Sequence, residues 1–220
     1  AVEGQPKLIL QESFFGRGSH PTRQECSHIH SSRFTKHGNS LFVADLGLDC
    51  ILWYKQNFTE KLIIKTPAAS GPRHLELSKN EKYLYVVAEL SSEILVYQLD
   101  EEPVLIQRIS TLTSRFSGEN TAADIHFDKN CRYLYCSNRG HDSIATYRVD
   151  SRTGSLQLLG HCKTENEPRN FSLTPTGSHL VVANGSSDSV TVYPINRRTG
   201  LCGPQNHRLS IAQPVCLTFI

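Results

Sequence analysis

The sequence has no methionine, a single tryptophan and no apolar run near the ~18 residues that cross a bilayer as a helix. The last absence excludes a helical membrane span. No stretch keeps a 3.6-residue apolar period, which excludes a helix bundle and leaves almost no helix to expect. Neither sign of charge dominates: 23 Lys and Arg face 21 Asp and Glu, a net charge of +2. That is too small to point to nucleic acid or an acidic membrane as partner, although a locally basic pocket stays open. Seven cysteines occur without a Cys-x-x-Cys pair. An odd, dispersed set argues against a disulfide framework and for reduced thiols in the cytoplasm. Cys50, Cys131, Cys136 and Cys216 sit in apolar strand patterns, where cysteine is usually a small buried hydrophobe. No signal-peptide pattern opens the chain. The missing methionine, at the start as elsewhere, predicts a processed chain or a fragment.

What is present is a repeat. Leu41-Phe42-Val43-Ala44-Asp45 is echoed by Leu84-Tyr85-Val86-Val87-Ala88, Leu134-Tyr135-Cys136-Ser137-Asn138 and Leu180-Val181-Val182-Ala183-Asn184. The intervals are 43, 50 and 46 residues, and Ile51…Tyr54, Ile94…Tyr97, Ile144…Tyr147 and Val190…Tyr193 keep the same spacing. Each landmark is β-branched or aromatic and is bounded by Gly, Asn, Asp or Ser, which reads as strand. A first strand such as 73–78 precedes a polar turn, the strand 83–88, a loop and the strand 93–99. A weaker outer strand, as at 155–160, closes the unit. Four antiparallel strands in about 45 residues make a propeller blade. The expected fold is all-β: a single partial propeller over 1–220 with blades at 28–70, 71–120, 121–166 and 167–212. Residues 213–220 add a further first strand, and residues 1–27 hold at most the tail of an earlier blade. Open blade edges leave strands unpaired, so self-association through them is expected.

Blade geometry decides which side chains meet. Antiparallel strands set the start of the first strand beside the end of the second, on one rim of the channel. First-strand starts supply His28, His30, Arg73, His74, Asp124, His126, Arg169 and Asn170. Second-strand ends supply Asp45, Glu89, Asn138, Arg139 and Asn184. Asp45 and Asn184 fit turn-capping roles. Asp49, Asp142 and Asp188 recur at one repeat position, and such recurrence fits a structural turn. Arg73, Glu89 and Arg139 differ between equivalent positions, as a single site on a repeated frame requires.

These residues fall in motifs that resemble the lactonase family of seven-bladed propellers, which takes in bacterial phosphogluconolactonases and fungal muconate-lactonising enzymes. The motifs are Arg23-Gln24 with His28-Ile29-His30, Asp45-Leu46-Gly47-Leu48-Asp49, Gly71-Pro72-Arg73-His74 and Glu89-Leu90-Ser91-Ser92. They continue with Gly118 to His126, Ser137 to Ile144, Pro168-Arg169-Asn170-Phe171 and Pro214-Val215-Cys216. Two positions depart from the family pattern: Ile29 replaces a proline, and Ala88 an asparagine. The resemblance implies that two or more of the family's blades precede the four found here.

It also implies catalytic roles for His30 or His28, Arg73, Glu89 and Arg139, acting on a small anionic lactone. Arg73 would hold the oxyanion, and Arg139 with Arg169 the anionic end of the substrate. His30 or His28 would activate water, and Glu89 would orient the histidine or act as base itself. His74, Asp124, His126, Asn138 and Asn170 complete the expected substrate-binding set. No metal or cofactor is expected. Lactone hydrolysis is the first expectation, with 6-phosphogluconolactone as substrate. A muconate-type lactonising cycloisomerase and a non-catalytic scaffold or binding module are the rivals.

Overall fold

The computed structural model describes Leu8 and residues 10–219. Four antiparallel sheets of four strands follow one another along the chain. The first holds β1 (Ile29–Phe34), β2 (Leu41–Asp45), β3 (Cys50–Lys55) and β4 (Glu60–Lys65), the second β5 (Pro72–Leu77), β6 (Tyr83–Ala88), β7 (Glu93–Gln98) and β8 (Val104–Ser110). The third holds β9 (Thr121–Phe127), β10 (Tyr133–Arg139), β11 (Ser143–Val149) and β12 (Leu156–Lys163), the fourth β13 (Pro168–Leu173), β14 (His179–Asn184), β15 (Ser189–Pro194) and β16 (His207–Ser210). Strand order equals chain order in every sheet, so each is an up-and-down blade. The only helical turns among the described residues are short 3-10 turns at Gln56–Phe58 and Gly185–Ser187. The chain is therefore an all-β partial propeller.

The core lies between blades, not within them. Phe42, Ala44 and Ile51 of the first blade pack on Leu75, Leu84 and Val86 of the second. Tyr85, Val87 and Ile94 of the second pack on Ile125, Leu134 and Cys136 of the third. Tyr135 and Ile144 of the third pack on Phe171, Leu180 and Val182 of the fourth. Each of these side chains is close to fully buried, a transfer gain of roughly 1.5–3 kcal/mol apiece for the larger ones. The first strands β1, β5, β9 and β13 pack side by side as an arc around the channel.

A second device fastens blades 2 to 3 and 3 to 4. The tight turn at Arg152-Thr153-Gly154 gives its carbonyls to Tyr83 and Tyr85 of the blade before: Tyr83 OH donates to Arg152 O and Tyr85 OH to Gly154 O, both at 2.8 Å. The turn at Arg198-Thr199-Gly200 repeats this on Tyr133 and Tyr135, at 2.6 and 2.8 Å. Gly154 and Gly200 have φ of +73° and +78°, and a Cβ on either would fall 2.4 Å from a tyrosine ring. Glycine is required there on both counts.

Each first strand also carries a β-bulge where it meets the second strand. Ile29 pairs with Asp45 and Ser31 with Ala44, so His30 is the extra residue. Arg73 is extra in β5, between Pro72 and His74, and Arg169 in β13, between Pro168 and Asn170. In β9 the extra residue falls at Ala123–Asp124, opposite Ser137. A bulge kinks the strand and re-aims side chains.

Three sequence expectations need correction. Residues 214–219 form no strand, because the described residues offer no further strand to pair with; Leu217 N instead donates to Asn170 Oδ1 at 2.8 Å. Cys216, on this unpaired segment, is exposed rather than buried. Cys131 sits in a turn with φ of +53°, not in a strand, and is half-buried. Asp49, Asp142 and Asp188 are all left-handed, at φ +48°, and accept backbone N–H groups across the blade junctions. Residues 1–7 and 9 of the expected earlier-blade tail lie outside the described residues. The described remainder up to residue 28 forms no strand.

Candidate active site

The repeat intervals sort the channel residues into rows. His30, Arg73, Ala123 and Arg169 form the bulge row. Ser31, His74, Asp124 and Asn170 follow one residue on, and Arg33, Glu76, His126 and Ser172 lie two further along the strand. At the end of the second strand, or one residue past it, come Leu46, Glu89, Arg139 and Gly185. The sequence folds the same way in each blade, so the rows are stacked, and chemistry varies along each row.

Glu89 is the centre of the upper layer. Its side chain is 2 % exposed. Arg23 Nη2 reaches Oε1 at 2.5 Å, while Arg73 Nε and Arg139 Nη2 reach Oε2 at 2.8 and 3.0 Å. Burial raises the Glu89 carboxyl, but Arg139, Arg73 and Arg23 together overcome it and hold the group below its usual range. Arg73, 3 % exposed, also donates through Nη1 to Ala123 O. Burial lowers its guanidinium, with Arg139 adding to the effect, to about 10, so it stays charged at neutral pH. Nε of Arg73 meets Glu89 as an ion pair without hydrogen-bond alignment. Arg169 lies close enough to depress Arg73, Arg139 and His30. Among the described residues it makes no ion pair. Four arginines thus surround one directly paired carboxylate. That surplus of positive charge around a buried carboxylate is costly unless an anion joins it.

The layer below is balanced. Asp124, fully buried, accepts His74 Nδ1 at 2.5 Å, His126 Nε2 at 3.0 Å, Asn170 Nδ2 at 2.6 Å and the N–H of Phe171 at 3.2 Å. Burial raises the Asp124 carboxyl, but hydrogen bonds from His126 and His74 outweigh it and hold it well below the carboxylate range. His126 Nδ1 lies 3.3 Å from Glu76, which also pairs with Arg33 at 2.8 Å. Burial lowers the His126 ring, but Asp124 and Glu76 outweigh it and push it up to about 10. Among the described residues no three His, Cys, Asp or Glu side chains are grouped to hold a metal ion.

The expected site residues divide accordingly. His30, Arg73, Glu89, Arg139 and Arg169 meet at the rim, and His74, Asp124, His126 and Asn170 meet just beneath it. His30 stacks edge-on to His74, with ring centroids 5.1 Å apart. Burial, then Arg73 and His74, lower the His30 ring to about 3, and its Nδ1 is buried without a partner. His28 is not brought in: it precedes the bulge, is exposed, and touches Asp45 only through its backbone N–H, at 2.9 Å. Asn138 is also turned away. It is fully buried and spends its amide on Thr111, Asn120 and Ser143. Glu89 makes no hydrogen bond to a histidine, because its oxygens are held by arginine. Asp45 caps its turn through the N–H groups of His28 and Leu48.

Sequence reasoning missed Arg23, Arg33 and Glu76. Arg33 and Glu76 were accessible from the repeat intervals, which place them in register with His126. Arg23 precedes the first blade and has no equivalent in the others. It is positioned by its neighbour Gln24, fully buried and bonded to Leu46 O and His20 N.

A family profile described as "Lactonase, 7-bladed beta-propeller" matches residues 2–219. The chain is 33% identical over 221 residues to the 6-phosphogluconolactonase of Bacillus subtilis, covering 96% of this chain and 62% of that protein. It is 35% identical to the 6-phosphogluconolactonase of Formosa agariphila over 199 residues, or 86% and 56% of the two chains. A periplasmic gluconolactonase of Pseudomonas aeruginosa superposes with a TM-score of 0.86 at 29% identity, over 94% of this chain and 61% of the other. The chain therefore spans about three fifths of the length of these relatives, and it belongs to the lactonase family of seven-bladed β-propellers.

Proposed function

We propose that the protein hydrolyses a sugar-acid lactone with an anionic group, 6-phosphogluconolactone being the preferred substrate. The observation that carries this reading is the surplus of guanidinium groups around Glu89. Such a site suits a substrate with a fixed negative charge and a carbonyl that becomes an oxyanion. Arg73 Nη2 has no protein partner among the described residues and serves the carbonyl oxygen as charge develops there. Arg139, Arg169 and the half-exposed Arg23 take the anionic end. Glu89 orients the three arginines, and its ion pairs leave it unsuited to act as base. The names of the relatives support the same chemistry. Seven unpaired thiols support a reducing compartment such as the cytoplasm.

The test is an assay of the protein that the complete reading frame encodes, with 6-phosphogluconolactone, uncharged gluconolactone and a muconate-type dicarboxylate lactone. Faster turnover of the phosphorylated lactone supports the proposal. Activity confined to the muconate type would reassign the site to a cycloisomerase, and inertness toward all three would leave a binding module.

A further inference from the structure

Resting on that reading, we propose that His74, held by Asp124, is the base that activates water in this site, in place of His28, His30 or Glu89. The geometry fixes the ring from both sides. Nδ1 points at Asp124 Oδ1, 2.5 Å away, and a carboxylate can only accept, so Nδ1 carries the proton. Nε2 points at Arg73 Nη1, 3.5 Å away, and a guanidinium can only donate, so Nε2 presents its lone pair. A proton resting on Nε2 would set two donors against each other, and at 3.5 Å the contact is long enough to leave the lone pair to a bound water. Both neighbours therefore select one neutral tautomer, with the basic nitrogen beside the arginine that serves the carbonyl. Asp124 cannot rotate away, because His126, Asn170 and two backbone N–H groups also hold its oxygens. The His74 side chain is 26 % exposed, whereas Asp124 is 1 % exposed, so the ring bridges the buried carboxylate and the open channel. Carboxylate, oriented imidazole and cationic oxyanion donor are the parts that acyl transfer to water requires.

The alternatives lack these parts. His28 is outside the cluster. The one interior nitrogen of His30 that is buried has no partner to orient it. Glu89 has three arginines on its two oxygens.

In the step, a water O–H gives its proton to His74 Nε2 as the oxygen bonds to the lactone carbonyl carbon. The carbonyl π pair moves onto oxygen beside Arg73. It then returns as the ring C–O bond breaks, and the ring oxygen takes the proton from Nε2. The product is the open hydroxy acid, which ionises to its carboxylate in solution.

Three measurements on the complete protein test this. In H74Q, kcat for 6-phosphogluconolactone should fall by about 10²–10⁴ with KM within a few fold of wild type. H28Q, whose side chain is exposed and outside the cluster, should keep kcat within a few fold of wild type. In H74G, added imidazole should restore activity in a saturable way. Should either His74 variant fail to fold, the wild-type protein answers: long-range ¹H–¹⁵N NMR at pH 8 should show His74 protonated on Nδ1 and bare on Nε2. An Nε2–H tautomer, or an H74Q enzyme with wild-type kcat, overturns the dyad while leaving lactone hydrolysis standing. A wild-type protein inert toward every lactone removes the hydrolase reading itself, and the dyad with it.

Discussion

Tyr135 gives its hydroxyl proton to the carbonyl of Gly200, 2.8 Å away in the next blade, and the same bond joins Tyr85 to Gly154. The third and fourth blades thus each close on the blade before through a buried hydrogen bond as well as apolar contact. Tyr135→Phe should cost about 1 kcal/mol, the net worth of one such bond, or somewhat more because the carbonyl is left unpaired. Gly200→Ala should cost more, since the new methyl meets the Tyr133 ring and the residue keeps φ of +78°. Urea unfolding of the two variants measures both, and equal midpoints would refute the ordering.

Glu89 balances only part of the charge around it. Glu89→Gln should destabilise the protein, because three arginines lose a buried partner; losses of roughly 3–5 kcal/mol follow the breaking of such pairs. The same change should make inorganic phosphate bind more tightly. Thermal shifts in a phosphate titration, larger for the variant than for wild type, check this.

Arg73 and Arg139 touch the same oxygen of Glu89 yet have different proposed roles. Arg73→Ala should lower kcat by about 10²–10³, as loss of an oxyanion donor does elsewhere. Arg139→Lys should instead raise KM for the phosphorylated lactone, because lysine keeps the charge and loses the fork. Steady-state kinetics with charged and uncharged lactones separate the two effects.

His126 carries its charge because Asp124 and Glu76 hold it. Its folded value, about 10, lies above the ordinary imidazole value of about 6.5. The charged ring therefore contributes its full stabilisation below the ordinary value and loses it as pH rises through about 10. Asp124, held low, works in reverse: its contribution is present above the ordinary carboxylate range and fades as pH falls. Melting temperature should decline between about pH 7 and 10 in wild type, and His126→Gln should flatten that decline. A parallel decline in both proteins would count against it.

The fourth blade ends on an exposed strand, β16, with Leu209 facing solvent. The 220-residue chain should self-associate through this edge, with light scattering showing mass growing with concentration. Leu209→Lys should reduce the growth.

Fold and site were legible in the sequence to different depths. The repeat intervals located all four blades, because a strand that must bury both faces leaves a continuous apolar run, as in Leu84 to Ala88. Residues 214–219 read as strand for the same reason, but pairing is a property of two segments, and the second is not among the described residues. Arg73, Glu89 and Arg139 stood out by differing across equivalent positions. Their mutual arrangement did not, since it depends on bulges that no pattern of alternation announces. His28 and Asn138 were placed at the rim by strand ends counted to within one residue. One residue is enough to turn a side chain from channel to blade interior.

The bulges have a consequence for how this architecture can change. A residue that has no ladder partner can be exchanged without disturbing register, so His30 and Arg169 occupy sockets that the scaffold tolerates being refitted, whereas Arg73 is also fixed by its ion pair with Glu89. Ala123 shows one such socket left blank at the same place. Ala123 itself is fully buried, so a histidine or arginine there would have to make room in packed surroundings, and the partly exposed His30 and Arg169 are the natural starting points for redirecting the propeller to new substrates.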